Sequence, residues 1–342
     1  MIEVLKTSDK DFRKKLQAIT SRGEADTSKV EDAVKEIITG IRRHGDKALF
    51  SYTNRFDGLS LDKKTIKVSD AEFRDARKVV SKDIVESLKL AAKRIEAFHR
   101  RQLEESWFFH EDDGVTLGQM VRPLERVGCY VPGGKAAYPS SVLMNVIPAR
   151  VAGVKEVVVC SPTPGGEVNP YVLVAAEIAG ADAVYKIGGA QAVAAMAYGT
   201  ASIPKVDKIV GPGNIYVATA KRLVFGVVDI DMIAGPSEIL VVADESANPA
   251  FIAADLLSQA EHDEMASSIL VTTSIKIADE TIKELTKQLK KLSRKEIAEK
   301  SLKDYGAVIL VNNLDEAAAI VNEIAPEHLE LSVDRPYELL PK

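Results

Sequence analysis

Two of the five histidines in this chain stand beside side chains that they could work with. Gln259 and His262 close the run Leu257-Ser258-Gln259-Ala260-Glu261-His262-Asp263, three apart and so on one face of a helix. An oxygen donor and a histidine at that spacing present two ligands to one metal ion. The structural reading of the same residues is a surface pair ending a helix, with Asp255 adding nothing. In Ala325-Pro326-Glu327-His328-Leu329-Glu330, the proline stops a helix, and Leu329, Leu331 and Val333 then alternate as in a strand. A Glu–His dipeptide at that corner offers two acid/base groups near their working pKa; a polar loop is the alternative. His44, His99 and His110 sit among charged residues of helical segments and read as surface.

Glycine turns form a second set. Gly211-Pro212-Gly213-Asn214-Ile215-Tyr216 opens a helix after a strand, with Tyr where a dinucleotide fingerprint has its third glycine. Gly188-Gly189-Ala190-Gln191-Ala192 is another glycine turn into a helix. The loops at Pro132, Gly188 and Gly211 are expected together at the carboxyl edge of one sheet, where α/β folds bind ligands; structural turns are the alternative. Cys129 and Cys160 lie in Val-rich strand-like runs away from any histidine, which favours packing over a nucleophilic thiol.

These groups need elements to hold them. The first 120 residues read mainly as helix. Ser69-Asp70-Ala71-Glu72 is a capping box, and Phe73, Val80, Ile84, Leu88, Ala91, Ile95 and Phe98 continue one apolar stripe to about Trp107. From Val127 onward, short apolar runs alternate with helical segments. Strands are expected at 156–160, 183–187, 208–210, 239–242, 268–271 and 307–311, with a helix after each. Such alternation argues for parallel sheets covered on both faces. Val131-Pro132-Gly133-Gly134 and Ala234-Gly235-Pro236-Ser237 read as crossover points. The expected architecture is α/β: an N-terminal helical segment and two Rossmann-like parallel-sheet domains, one inserted in the other. The expected boundaries are 1–126 with 238–342 for the outer domain and 127–237 for the insert.

The chain has 342 residues, enough for about two domains. It is 46% apolar and 28% charged, ordinary values for a globular protein, and its net charge of −5 offers no basic footprint for nucleic acid. No apolar run approaches the ~20 residues that span a bilayer. Met1-Ile2-Glu3-Val4-Leu5 has no signal-peptide pattern, and two cysteines make no disulfide scaffold. A cytoplasmic enzyme without membrane or nucleic-acid partners is expected.

Taken together, Arg126–Gly134, Ser141-Val142-Leu143-Met144, Val159-Cys160-Ser161-Pro162, Gly188–Ala192, Val206–Asn214, Ala234–Glu238, Leu256–His262 and Ala325–Leu329 closely resemble the histidinol dehydrogenase family, in the family's order and across essentially the whole chain. The resemblance implies oxidation of L-histidinol to L-histidine in two NAD⁺-dependent steps, through histidinal kept on a zinc enzyme. It implies Tyr130, Gln191 and Asn214 as NAD contacts and Ser237, Gln259, His262 and His328 as substrate contacts. Gln259 and His262 are implied as zinc ligands, Glu327 and His328 as the acid/base pair, and the assembly as an intertwined homodimer. It also implies a further segment and dimerisation tail beyond Lys342, carrying an Asp ligand and a partner-derived His ligand. A chain naturally ending at Lys342 would instead favour a catalytically inactive binding or assembly protein on the same fold. A zinc hydrolase using Gln259, His262 and Glu327 would leave the three nucleotide-type loops unexplained.

Overall fold

The computed structural model describes residues 2–20, 28–133, 138–233 and 235–342; Gly134 and Ala234 of the expected junctions lie outside them. The chain divides into two compact units, 1–26 with 235–342 and 27–234. In chain order the elements begin with β1 (Glu3–Lys6) and α1 (Phe12–Thr20). There follow α2 (Ser28–His44), α3 (Asp46–Asp57), α4 (Asp70–Val79), α5 (Lys82–His99), β2 (Trp107–His110), β3 (Thr116–Gln119) and β4 (Arg126–Tyr130). Next are α6 (Pro139–Val151), β5 (Glu156–Cys160), α7 (Pro170–Ala179), β6 (Ala183–Tyr185), α8 (Gly189–Tyr198), β7 (Lys208–Val210), α9 (Ile215–Val224) and β8 (Asp229–Ile230). The chain closes with β9 (Glu238–Ala243), α10 (Pro249–Ala260), β10 (Ser267–Thr272), α11 (Ile275–Leu289), α12 (Lys295–Tyr305), β11 (Ala307–Leu310), α13 (Leu314–Ile324), β12 (His328–Ser332) and α14 (Pro336–Leu339).

The 27–234 unit is built on a five-stranded sheet of order β6-β5-β4-β7-β8, all parallel. Renumbered along the chain this is the doubly wound order 3-2-1-4-5. Side chains alternate across its strands. Tyr130, Val158 and Cys160 pack with residues of α2, α8 and α9, such as Ile37, Met196 and Val217. Cys129, Val157 and Val159 pack with residues of α4, α6 and α7 on the opposite face. Burial on both faces is why these strands read as continuous apolar runs.

The other unit has the parallel order β1-β11-β10-β9-β12. Ile239 and Val241 face α10, α11 and α12, whereas Leu240 and Val242 face α1 and α13. Asn248 accepts the Ala250 N–H at the start of α10, as its Asn-Pro pattern predicts.

The second expected crossover coincides with a unit boundary; the first does not. The helices over 28–99 pack against the inserted sheet, so the compact unit begins at 27 rather than 127. An apolar stripe shows that a helix has a buried face without showing which sheet it meets. Glu3–Lys6 forms a strand within the expected helical segment because it pairs with Ala307–Leu310, a partner 300 residues distant.

The capping box forms as expected: Ser69 accepts the Glu72 N–H, and Glu72 accepts the Ser69 N–H. The long helix does not. Val80 and Ser81 are extended and divide it into α4 and α5, and Trp107–Gln119 is an antiparallel hairpin rather than helix. Gly114, at φ +89°, turns the hairpin after Asp113, which accepts the Val115 N–H. His110 is exposed there and bonded to Thr116.

Leu240, fully buried in β9, tests the outer core. Leu240→Ala is expected to lower unfolding free energy by about 2–5 kcal/mol in urea titrations. A loss below ~1 kcal/mol would mean the site is much less tightly packed than its burial indicates.

Candidate active site

Tyr130 ends β4, and the loops that leave β6 and β7 at the same carboxyl edge meet it. Its hydroxyl accepts the Gly189 N–H at 3.1 Å, at the start of the helix that carries Gln191. Burial first, against the favourable Gly189 hydrogen bond, pushes the phenol up to about 12. Gly211, at φ +113°, lies so close beneath the next loop that a Cβ would stand 2.0 Å from the Tyr130 carbonyl oxygen. Only glycine fits that conformation and that gap. The contact falls between β4 and β7, where the strand order reverses, the customary ligand crevice of a doubly wound sheet.

Asn214 caps α9, its side-chain oxygen accepting the N–H groups of Tyr216 and Val217 at 3.1 and 3.2 Å. That use leaves its amide NH₂ as a donor. Gln191 is only 2% exposed, and a Cβ on Gly189 would lie 2.6 Å from its carboxamide oxygen. Gly133 and Gly188 press on Pro162 with no room for a side chain. The buried Thr163 hydroxyl has no hydrogen-bond partner among the described residues. A backbone-lined edge with free amide and hydroxyl donors suits the phosphates and ribose hydroxyls of a dinucleotide.

In the outer unit the candidates gather at the amino edge of the sheet. His328 begins β12 opposite Ile239, and Ser237 precedes β9, its carbonyl accepting the Ser267 N–H. Glu327 and Glu238 bond reciprocally: each carboxylate accepts the other residue's backbone N–H at 3.3 Å. The Glu327 carboxylate stands 3.9 Å from His328 Nε2, and both side chains are more than half exposed (51% and 58%). Ala325 ends α13 at φ +48°, the only non-glycine residue with positive φ among the described residues. Such a conformation costs about 1–3 kcal/mol, here two residues before Glu327.

α10 runs from the carboxyl end of β9 back to this same amino edge. It leaves Gln259 buried in its last turn and His262 exposed just beyond, with the His262 N–H on the Gln259 carbonyl. An amide oxygen and an imidazole from one helix end fit part of a zinc ligand set, which takes three or four protein ligands. Among the described residues no three His, Cys, Asp or Glu side chains gather as a metal-binding group.

The sequence alone gives no role to Glu238, Asp255 or Glu330. Glu330 of β12 meets Asp255 of α10, so the strand bearing His328 touches the helix bearing Gln259. Burial first, and the Asp255 carboxylate next, raise the Glu330 carboxyl above its ordinary range. Only Glu330's even spacing from His328 hinted at a shared face. Cys129 and Cys160 are fully buried and free. Burial pushes the Cys129 thiol up to about 12 and the Cys160 thiol higher still, opposite to what a nucleophile needs.

Comparison with known proteins places this geometry in a family. The family model described as histidinol dehydrogenase matches residues 20–342. The chain belongs to the histidinol dehydrogenase family. It is 57% identical over 342 residues to a histidinol dehydrogenase of Syntrophotalea carbinolica, covering 100% of this chain and 79% of that protein. It is 53% identical over 341 residues to one of Aquifex aeolicus, with 100% and 79% coverage. A crystal structure of histidinol dehydrogenase from Elizabethkingia anophelis superposes with a TM-score of 0.92 at 38% identity, covering 98% of this chain and 77% of that one. Among the described residues no helix is long and apolar enough to cross a membrane.

Two outcomes are expected at this site. Because the native Glu330 pKa is raised, its protonated form contributes stability below the unfolded pKa, and that contribution is lost as pH rises through the native value. Glu330→Gln should therefore gain on the parent protein between pH 4 and pH 8 in urea midpoints; a gap constant with pH would refute the shift. Native protein at pH 8 should take up no iodoacetamide at Cys129 or Cys160, and both should label once unfolded. Rapid native labelling, read by mass spectrometry, would restore a reactive thiol.

Proposed function

We propose that this chain oxidises L-histidinol to L-histidine through histidinal, using two NAD⁺, as a zinc-dependent cytoplasmic homodimer of histidine biosynthesis. What supports the reading is family membership joined to one local feature: Glu327 and His328 side by side at a Pro326 corner, with Glu327 tied to Glu238. Tyr130, Gln191 and Asn214 are assigned to NAD⁺. Ser237, Gln259, His262 and His328 are assigned to substrate.

In the first step the carbinol carbon loses a hydride and its hydroxyl loses a proton. Neutral His328 takes that proton, which requires an imidazole free to accept. When bound, NAD⁺ supplies the hydride acceptor for each step. Gln259 and His262 would be among the residues that hold a zinc ion, which would supply Lewis-acid anchoring of the substrate. In the second step Glu327, as carboxylate, takes a proton from the water that adds to the aldehyde carbon, while His328 returns its proton to the aldehyde oxygen and becomes neutral again. His328 takes the hydroxyl proton of the resulting hydrate as the second hydride departs. The reciprocal bond to Glu238 restricts Glu327 to few rotamers, so its basic oxygen is held in place beforehand. A base so placed contributes about 10²–10⁴-fold.

The separable roles are testable. Glu327→Gln should slow histidinal oxidation by about 10²-fold or more and histidinol-to-histidinal conversion far less. His328→Asn should impair both. Stopped-flow NADH formation with each substrate measures this. Equal losses on both substrates in Glu327→Gln would remove the assigned water-activating role.

A further inference from the structure

Lys221 is 2% exposed, in the last turn of a helix whose other buried residues, Thr219 apart, are apolar. Its ammonium reaches back ten residues to donate to the Gly211 carbonyl at 3.0 Å and pairs with the Asp231 carboxylate. The other Asp231 oxygen accepts the Gly211 N–H at 2.7 Å. Asp231 is itself held: its N–H bonds the Ile209 carbonyl, and its Oδ1 also accepts the Met232 N–H at 2.7 Å. Both polar backbone groups of Gly211 are thereby taken by one ion pair, its lysine buried and its carboxylate partly exposed.

Gly211 is the residue whose backbone presses on the Tyr130 carbonyl, and the Tyr130 hydroxyl accepts the Gly189 N–H. Asn214 follows three residues later. The three assigned nucleotide contacts therefore hang on a single backbone position. An apolar side chain at 221 would fill the helix–sheet interface without desolvating a charge, and replacing buried ion pairs by apolar groups is often neutral or stabilising. Core packing does not account for the lysine. Holding one loop conformation does.

We propose that Lys221 and Asp231 are positioning residues for nucleotide binding: they clamp Gly211 so that Tyr130, Asn214 and the Gly189 turn are ordered before the dinucleotide arrives. The inference rests on the assignment of Tyr130, Gln191 and Asn214 to NAD⁺. It extends that assignment to a buried lysine and its aspartate partner, which lie outside the assigned contacts. Binding then carries little ordering cost, and loosening the clamp returns that cost to the dissociation constant.

The test uses the full chain with Lys221→Met, Asp231→Asn, the double variant and Asn214→Ala. NADH binding is followed by fluorescence titration, histidinol binding by calorimetry, and amide exchange over 208–217 by mass spectrometry without ligand. Lys221→Met is expected to weaken NADH about tenfold, to speed exchange over 211–216 about tenfold, and to leave histidinol affinity within about threefold. Asp231→Asn keeps the shape and an acceptor for the Gly211 N–H, so it should fold even if Lys221→Met does not, with a smaller effect in the same direction. The double variant should be no worse than the poorer single, since both act on one residue. Unchanged NADH affinity in a folded Lys221→Met or Asp231→Asn, beside a weakened Asn214→Ala, would overturn the clamp while sparing the nucleotide assignment. Faster exchange throughout the 27–234 unit would reduce the pair to a general structural role and also overturn it. Unchanged NADH affinity in Asn214→Ala would overturn the nucleotide assignment and the clamp with it.

Discussion

Parallel pairing governs this molecule. Every strand pair in both five-stranded sheets runs in the same direction, and a parallel pair cannot be joined by a hairpin. Each connection within a sheet must leave at its carboxyl edge, pass over a face and re-enter at the amino edge. The helices that make these passages bury both faces, so the strands become Val- and Ile-rich and carry little chemistry along their lengths. Functional side chains are confined to the two edges. The 27–234 unit uses its carboxyl edge, with Tyr130, the Gly188-Gly189 turn and Gly211 all placed there. The outer unit uses the opposite edge, where α10 arrives and β9 and β12 begin.

Both edges are stiffened through the backbone. Gly211 is held from two sides by Lys221 and Asp231, and Glu327 and Glu238 exchange carboxylate and amide in a closed pair. Lys186, largely buried, pairs with Glu72 of the capping box and so ties the α4 start to the loop after β6. Lys221 and Lys186 are costly to bury, and their carboxylate partners make the burial tolerable. Unusual backbone accompanies them: Gly211 in a region closed to other residues, and Ala325 in the left-handed region where glycine is the usual choice. Strained positions persist where surrounding bonds over-determine them, and here they adjoin the assigned nucleotide and acid/base groups.

The two cysteines show how environment decides chemistry. Both lie in strands of one sheet, and the pull of Arg150 on Cys129 is outweighed by burial and by the Asp231 carboxylate. Burial holds them as thiols. The exposed Glu327 and His328 stay in contact with water, as the proton transfers proposed for them would require.

Much of this was legible along the chain. Strand and helix alternation after Val127, the caps at Ser69 and Asn248, and the Pro326 stop before His328 all depend on neighbours within a few residues, which sequence order supplies. The motifs carrying Tyr130, Gln191, Asn214, Gln259, His262, Glu327 and His328 were visible for the same reason. What remained hidden depended on residues distant in sequence. Glu3–Lys6 is a strand because residue 307 pairs with residue 3. The helices before residue 100 belong to the inserted unit because their stripes meet its sheet. Asp255 with Glu330, Glu238 with Glu327 and Lys221 with Asp231 acquire meaning only when strand register sets them side by side. Local pattern determined the alternating elements after Val127 and the caps that start them; which faces meet, which distant segments pair as strands, and which charges must then pack together was decided by tertiary structure, because burial energy belongs to the contact and not to either segment alone.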